Sequence, residues 1–262
     1  GLSVMLSRRR FLRLCATTLA ATAGCSLLFQ SHSSIGVADR VIPILLYHRV
    51  GYSGDDLTVT PNRLARDLRT LKELQYTTIS LEQFEQFLFN QKIELPEKPL
   101  LITFDDGYLD NYENAFPILQ KNDMLASFFI ITGMLPNADR IKPAQIREMA
   151  KQGMSFGSHT VSHRGLGDLT EAEMHMELSY SQIALEDILG RSVNSISYPK
   201  GSYSETTINI AQAYGYHEGF TVKQGLCSQL SSSFHLTRIP VFGFDPDIRE
   251  VMDKRHIPAA GV

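Results

Sequence analysis

"KPLLITFDDG", residues 98 to 107, is the stretch on which the fold turns. A continuous apolar run, without polar alternation, ends abruptly in two carboxylates and a glycine. A strand of that kind is buried on both faces, which points to a parallel sheet covered by helices. Adjacent Asp105 and Asp106 each raise the cost of ionising the other unless a cation sits nearby. Asp-Asp-Gly is also ordinary turn chemistry after a strand, and this stretch alone leaves that reading open.

Outward from it, strand-like and helix-like segments alternate. "IPILLYHRV" (42–50) is a β-rich run that reaches His48. "TPNRLARDLRTLKEL" (60–74) sets Leu64, Leu68, Leu71 and Leu74 at helical spacing behind a Thr60-Pro61 start signal. "YTTIS" (76–80) reads as a short strand, and Ser80 with Gln83 forms a capping-box pair opening the next helix. Further on, "ASFFIITG", "MSFGSH", "SVNSISYP", "HEGFTV" and "FHLTRIPVF" read as strands. "NYENAFPILQKN", "KPAQIREMAKQG", "TEAEMHMELSYSQIALEDILG" and "SETTINIAQAYG" read as the helices between them. Seven or eight β/α units in about 220 residues predict a single barrel-like α/β domain, with a doubly wound open sheet as the alternative. Either fold gathers its chemistry at the carboxyl ends of the strands.

His48, Asp105, Asp106 and His159 all fall where an apolar run stops, and His163 follows four residues after His159. Two imidazoles one turn apart can reach one ion, and a carboxylate can supply a third ligand. H-x-x-x-H is weak evidence alone and gains weight beside an acidic pair on another strand end. Gly107 lets the chain turn behind the carboxylates, and Gly157 with Ser158 is expected to leave room beside His159. A turn at Pro199-Lys200-Gly201 could offer the Lys200 N–H to a substrate oxygen. Tyr108, Tyr112 and Tyr203 are candidates for stacking on sugars or for plain packing. His175 is expected to lie solvated on a polar helix, His217 and His256 lack acidic or histidine partners at ligand spacing, and His235 ranks behind His48 as a proton donor.

The totals, 43% hydrophobic and 20% charged over 262 residues, are those of a globular protein. "MLSRRRFLRLCATTLAATAGC" (5–25) has the basic cluster, apolar stretch and small residues of an export signal of the twin-arginine kind. Residues 1–38 are therefore expected to be signal and linker, and residues 39–262 the mature domain. The chain is thus expected to work in the periplasm, cell envelope or outside the cell. The mature domain then holds 21 basic against 28 acidic residues, a balance of −7 that disfavours nucleic acid as a partner. No transmembrane segment is expected in it. Gly24-Cys25 leaves open a lipid anchor at Cys25, and Cys227 is the sole mature cysteine otherwise.

With these residues assembled, the chain resembles the polysaccharide deacetylases of the NodB-homology class, carbohydrate esterase family 4, over residues 41 to 245. "TFDDG" (103–107) and "HTVSH" (159–163) match the family's first two motifs in order. The resemblance implies a distorted (β/α)7-type barrel, one divalent metal ion (Zn2+ by preference) and an acetylated polysaccharide substrate. It makes Asp105 the general base and Asp106, His159 and His163 the metal ligands. Pro199 and Lys200 fall in the third motif, whose backbone N–H completes an oxyanion hole. Ser197 stands where that motif has arginine, Lys200 where it has an aromatic residue. The family's fourth-motif tryptophan is missing, as is its leucine-x-x-histidine motif. "ILLYHRV", "YPKG" and "HLTRIPV" resemble the poly-N-acetylglucosamine deacetylase branch, where a first-strand histidine replaces the usual acid. That implies His48 as the acid, and Arg238 as the group orienting Asp105 in place of the lost arginine. The expected activity is N-deacetylation of an amino-sugar polymer such as poly-N-acetylglucosamine, a chitin-like chain or peptidoglycan glycan. The alternatives are an O-acetyl esterase on a xylan-type polymer, a decayed carbohydrate-binding protein, or an amidase on a small substrate.

Overall fold

The computed structural model describes residues 40–255. The expected signal and linker, including Cys25, and His256 lie outside the described residues. Seven parallel strands form the framework: β1 (Ile44–Tyr47), β2 (Pro99–Phe104), β3 (Ser127–Ile130), β4 (Ser155–Ser158), β5 (Ser195–Ser197), β6 (Glu218–Gln224) and β7 (Leu236–Pro240). Each pairs with the next. β7 returns to β1, with Ile239 opposite Leu45, and closes the sheet into a barrel. The open-sheet alternative is thereby excluded. The expected strand at "YTTIS" shrinks to Thr77–Thr78, which adds to the start of β2. It is no member of the ring, so the seven-strand count holds.

Around the barrel lie α1 (Pro61–Glu73), α2 (Leu81–Leu88), α3 (Phe116–Lys121), α4 (Pro143–Lys151), α5 (Glu171–Leu189), α6 (Glu205–Ala213) and α7 (Ile248–Arg255). Thr60 caps α1, and Ser80 and Gln83 form the reciprocal capping box of α2. Gly190 ends α5 in the left-handed conformation, as the sequence suggested. α7 was not expected; its signal is Ile248, Val251 and Met252 at helical spacing, all buried. Among the described residues no helix is long and apolar enough to cross a membrane. Cys227 is a free, buried thiol.

Strand alternation sorts the core. Leu45, Tyr47, Ile102, Phe104, Phe128 and Ile239 pack outward with Leu64, Leu68 and Leu71 of α1 and Ile146 and Met149 of α4. The alternate residues Ile44, Leu101, Phe129, Phe220 and Leu236 pack with Phe84 and Phe87 of α2. α2 thus plugs the amino end of the barrel, each buried aromatic contributing ~1.5–3 kcal/mol by leaving water. Gly157 serves this packing: a Cβ there would lie 2.5 Å from the Phe129 ring. Its small size admits Phe129 and does not open space beside His159, correcting the sequence expectation. At the opposite end the inward positions turn polar, with Thr103, Asp105, Ser197 and Arg238 all buried.

Candidate active site

Register brings the strand ends together. Tyr47 pairs with Phe104, so His48 and Asp105 follow side by side, and Asp105 N–H donates to Tyr47 O at 3.0 Å. Ser158 pairs with Ile196, setting His159 beside Ser197. The Nδ1–H of His159 donates to Ser197 O at 2.7 Å, which leaves Nε2 bare and facing Asp106. Asp106 is turned inward by a left-handed backbone (φ 79°), and Gly107 follows with φ 67°. Of the seven non-glycine residues with positive φ among the described residues, four (Asp106, Thr160, His163 and Lys200) belong to this site. Such conformations cost ~1–3 kcal/mol each and collect where geometry is imposed by surrounding structure.

Asp106 Oδ1 lies 3.3 Å from Nε2 of His159 and 3.3 Å from Nε2 of His163. That oxygen is buried and has no hydrogen-bond donor. One ligand atom from each of the three residues falls within 4.8 Å of the others. A buried carboxylate oxygen without a donor, facing two imidazole nitrogens, is the donor set a divalent ion fits. His159 has a raised pKa: burial opposes its charge, but Asp105 and Asp106 outweigh that. His163, half-buried, is shifted down by desolvation, with His159 and Lys200 adding to it.

Asp105 is held differently. Arg238 Nη1 and Nη2 donate to its Oδ1 and Oδ2 at 2.9 and 2.8 Å, and Ser197 Oγ donates to Oδ2 at 2.9 Å. Arg238 is fully buried, and its remaining donors reach Thr221 O and Thr103 Oγ1. Burial alone would raise the Asp105 pKa, but Arg238 and His159 pull it well below the usual carboxylate range. The carboxylate is therefore ionised and fixed. Asp105 Oδ2 also lies 3.9 Å from His159 Nε2, so the fixed carboxylate borders the three-ligand cluster. Arg238 and Ser197 together clamp the carboxylate, and Arg238 also bonds Ser197 Oγ.

His48 is half-buried, with Nδ1 unpartnered. Desolvation lowers its pKa from 6.5, against the pull of Asp105 and Asp106. Its backbone is anchored by Asn111 Nδ2 on His48 O at 2.8 Å. Asn111 opens a π-helical turn (Asn111–Ala115) ahead of α3, where Pro117 cannot donate to the preceding turn. Lys200 sits in a tight turn, φ 58°, closed by Gly201 N–H on Tyr198 O and Ser202 N–H on Pro199 O. Neither of these bonds uses the Lys200 N–H.

Tyr108 was a stacking candidate, and its ring is taken: Arg49 lies 4.4 Å and Arg140 4.0 Å from its centroid. Tyr112 stacks on Phe116 and Tyr203 on Tyr198, so both serve packing. His235 bonds Ser232 at the amino end of β7, away from the strand ends. His217 does find a carboxylate, Glu85, but across 132 positions and outside the cluster. Sequence reasoning missed Arg49, Arg140, Asn111 and Glu177, which act on the site through contacts that no short spacing reveals. A cavity of about 630 Å3 opens at the amino end among Ser80, Glu85, Ser155 and Ser195, and none of the site residues lines it.

Comparison with known proteins assigns the chain to a family. The family model described as polysaccharide deacetylase matches residues 92–219. YxkH of Bacillus subtilis (strain 168), whose name places it among the polysaccharide deacetylases, is 34% identical over 200 residues, covering 76% of this chain and 71% of its own. The chain belongs to the polysaccharide deacetylase family. The poly-beta-1,6-N-acetyl-D-glucosamine N-deacetylase of Staphylococcus aureus (strain MRSA252) is 26% identical over 196 residues, covering 70% of this chain and 67% of its own. Among solved structures, the Streptococcus pyogenes deacetylase PplD in complex with acetate superimposes with a TM-score of 0.78 at 30% identity, covering 83% of this chain and 99% of its own.

Proposed function

We propose that this chain is a metal-dependent hydrolase removing acetyl groups from an N-acetylated amino-sugar polysaccharide. The similarity to a poly-N-acetylglucosamine deacetylase supports the substrate class. The observation that carries the reading is the meeting of Asp106, His159 and His163 beside the clamped Asp105. A divalent ion held by those three residues, Zn2+ by its affinity for imidazole and carboxylate, would supply Lewis acidity toward the acetamide carbonyl and acidify a water.

The protein's own groups divide the remaining work. Asp105, kept ionised by Arg238, accepts the proton of the attacking water. The Lys200 N–H, behind Pro199, donates to the oxygen that becomes anionic; losing one such donor typically costs ~3 kcal/mol of barrier. His48, protonated, gives its proton to the departing nitrogen, help typically worth ~10²–10⁴-fold. Acetate and a free amino sugar result. We read residues 1–38 as the export signal and linker that bring the domain to such a polymer outside the cytoplasm.

One observation favours a second reading, an O-acetyl esterase on a xylan-type polymer. Burial lowers the His48 pKa, and an ester's alcohol needs less protonation to depart than an amine does. The test is acetate release from N-acetylglucosamine oligomers and from acetylated xylan, with chelator and metal add-back, comparing wild type with Asp105→Asn. Release only from xylan selects the esterase. Zinc uptake without release from any polymer supports a binding protein instead.

A further inference from the structure

We propose that Glu177, on α5, is a positioning residue that fixes the turn carrying both imidazoles, so that His159 and His163 converge on Asp106. This rests on the metal reading above. The carboxylate is 5% exposed. Its Oε2 accepts the two successive N–H groups of Val161, at 2.8 Å, and Ser162, at 2.9 Å, while Oε1 accepts Ser162 Oγ. Two consecutive amides converging on one oxygen form an anion-holding concavity in the backbone.

The placement of that concavity gives it a purpose. Val161 and Ser162 lie between Thr160 (φ 66°) and His163 (φ 63°), both left-handed and neither glycine. A free peptide would relax out of such a turn, so the surrounding structure must hold it. Within the turn, His163 N–H donates to Thr160 Oγ1, and Thr160 N–H to Ser158 Oγ. Ser158 Oγ in turn bonds Ser181 Oγ at 2.7 Å, one helical turn beyond Glu177 on the same face of α5. Helix α5 therefore grips the turn twice: a neutral contact behind His159, and a charged contact ahead of His163. The charged one is sealed by a side chain rather than by solvent. Burial would raise the Glu177 pKa, yet the bonds from Ser162 and Val161 bring it down, consistent with an ionised acceptor. Arg164 lies 3.6 Å from Oε1 but is half-exposed and also pairs with Glu173.

The test titrates metal-free protein with Zn2+ against a chromophoric chelator, and follows metal-free unfolding by circular dichroism. Glu177→Gln keeps the shape but removes the charge: its one carbonyl oxygen can still accept the Val161 and Ser162 N–H groups, as weaker neutral bonds, while the Ser162 hydroxyl loses its acceptor to an amide N–H. It is expected to weaken Zn2+ affinity ~10–100-fold, the range for groups supporting metal ligands from behind, while the metal-free protein remains folded. Arg164→Ala, which leaves the carboxylate in place, is expected to keep wild-type affinity. Should Glu177→Gln not fold, Ser162→Ala carries the test, with an expected loss of about threefold to tenfold for one hydrogen bond. A folded variant, Glu177→Gln or in its absence Ser162→Ala, that binds Zn2+ as tightly as wild type overturns the proposal. A wild type that takes up no Zn2+ overturns the metal reading, and this inference with it.

Discussion

Arg238 holds Asp105 by both carboxylate oxygens across 133 positions of sequence, and neither side chain is open to solvent. The pair joins the last barrel strand to the end of the second. A bidentate guanidinium fixes both the orientation and the charge of the carboxylate. Arg238→Ala leaves a buried anion without its partner, a loss typically of ~3–5 kcal/mol. The variant is expected to melt markedly lower and to release acetate at a small fraction of the wild-type rate. Arg238→Lys, with one point charge for a planar fork, should restore part of the stability and little of the turnover. Unchanged turnover in Arg238→Ala would remove the positioning role.

Asp105→Asn separates base from ligand set. The amide cannot take a proton, so acetate release should fall by ~10²–10⁴-fold, while Zn2+ binding by equilibrium dialysis stays near wild type. Asp106→Asn should show the reverse order of effects, losing metal first and activity as a consequence. Equal loss of metal in both variants would contradict the division of labour between the two aspartates.

Metal removal should be visible as stability. A ligand that binds only the folded state stabilises it by about 2.7 kcal/mol at a hundredfold excess over Kd. Chelator should therefore lower the melting temperature, and Zn2+ add-back should restore it. A proton and a metal ion compete for Nε2 of His159, whose pKa Asp105 and Asp106 raise against its burial. Affinity should weaken as pH falls, and a pH-independent affinity would count against His159 as a ligand.

The rate profile should carry the mark of His48. Burial lowers its pKa from 6.5, against Asp105 and Asp106, and a proton donor acts only while protonated. N-deacetylation is expected to decline as pH rises through that lowered value, and His48→Ala should flatten this limb. Ester substrates should depend on it less. An identical alkaline limb in wild type and His48→Ala would assign the titration to another group.

Glu218 predicts a pH effect away from the chemistry. Burial pushes its pKa up to about 8, with one hydrogen bond from Ser195 failing to offset it and Oε2 left unpartnered. The folded state thus binds this proton more tightly than the unfolded chain, whose value is near 4.5. Stability from this group is complete below about 4.5 and is lost as pH rises toward 8. Urea melts of Glu218→Gln should lack that decline and exceed wild type at pH 8. Parallel curves for the two proteins would refute it.

Much of this was legible in the residues because burial on both faces writes itself as an apolar run, and the run's last residue marks the strand end. His48, Asp105 and His159 were found that way. Arg238 was seen as a strand residue, but its partner was supplied by a family resemblance, since no local spacing links it to Asp105. Glu177 was hidden for a similar reason: on a helix it looks like one more solvated acid. Gly157 misled because smallness was read as room beside His159, whereas the Phe129 ring claims the space. The α7 helix went unread because its three apolar residues fill only two turns after a loop rich in Gly, Asp and Pro.

The barrel's seam lies between its first and last strands, where Leu45 faces Ile239. Pairing residues so far apart in the chain is entropically slow, and it can occur only after nearly the whole domain has been synthesised. His48 and Arg238 sit on the two sides of that seam. Closing that seam brings His48 and Arg238 to the same end of the barrel, so the surroundings of Asp105 are complete only in a chain that has joined its first strand to its last.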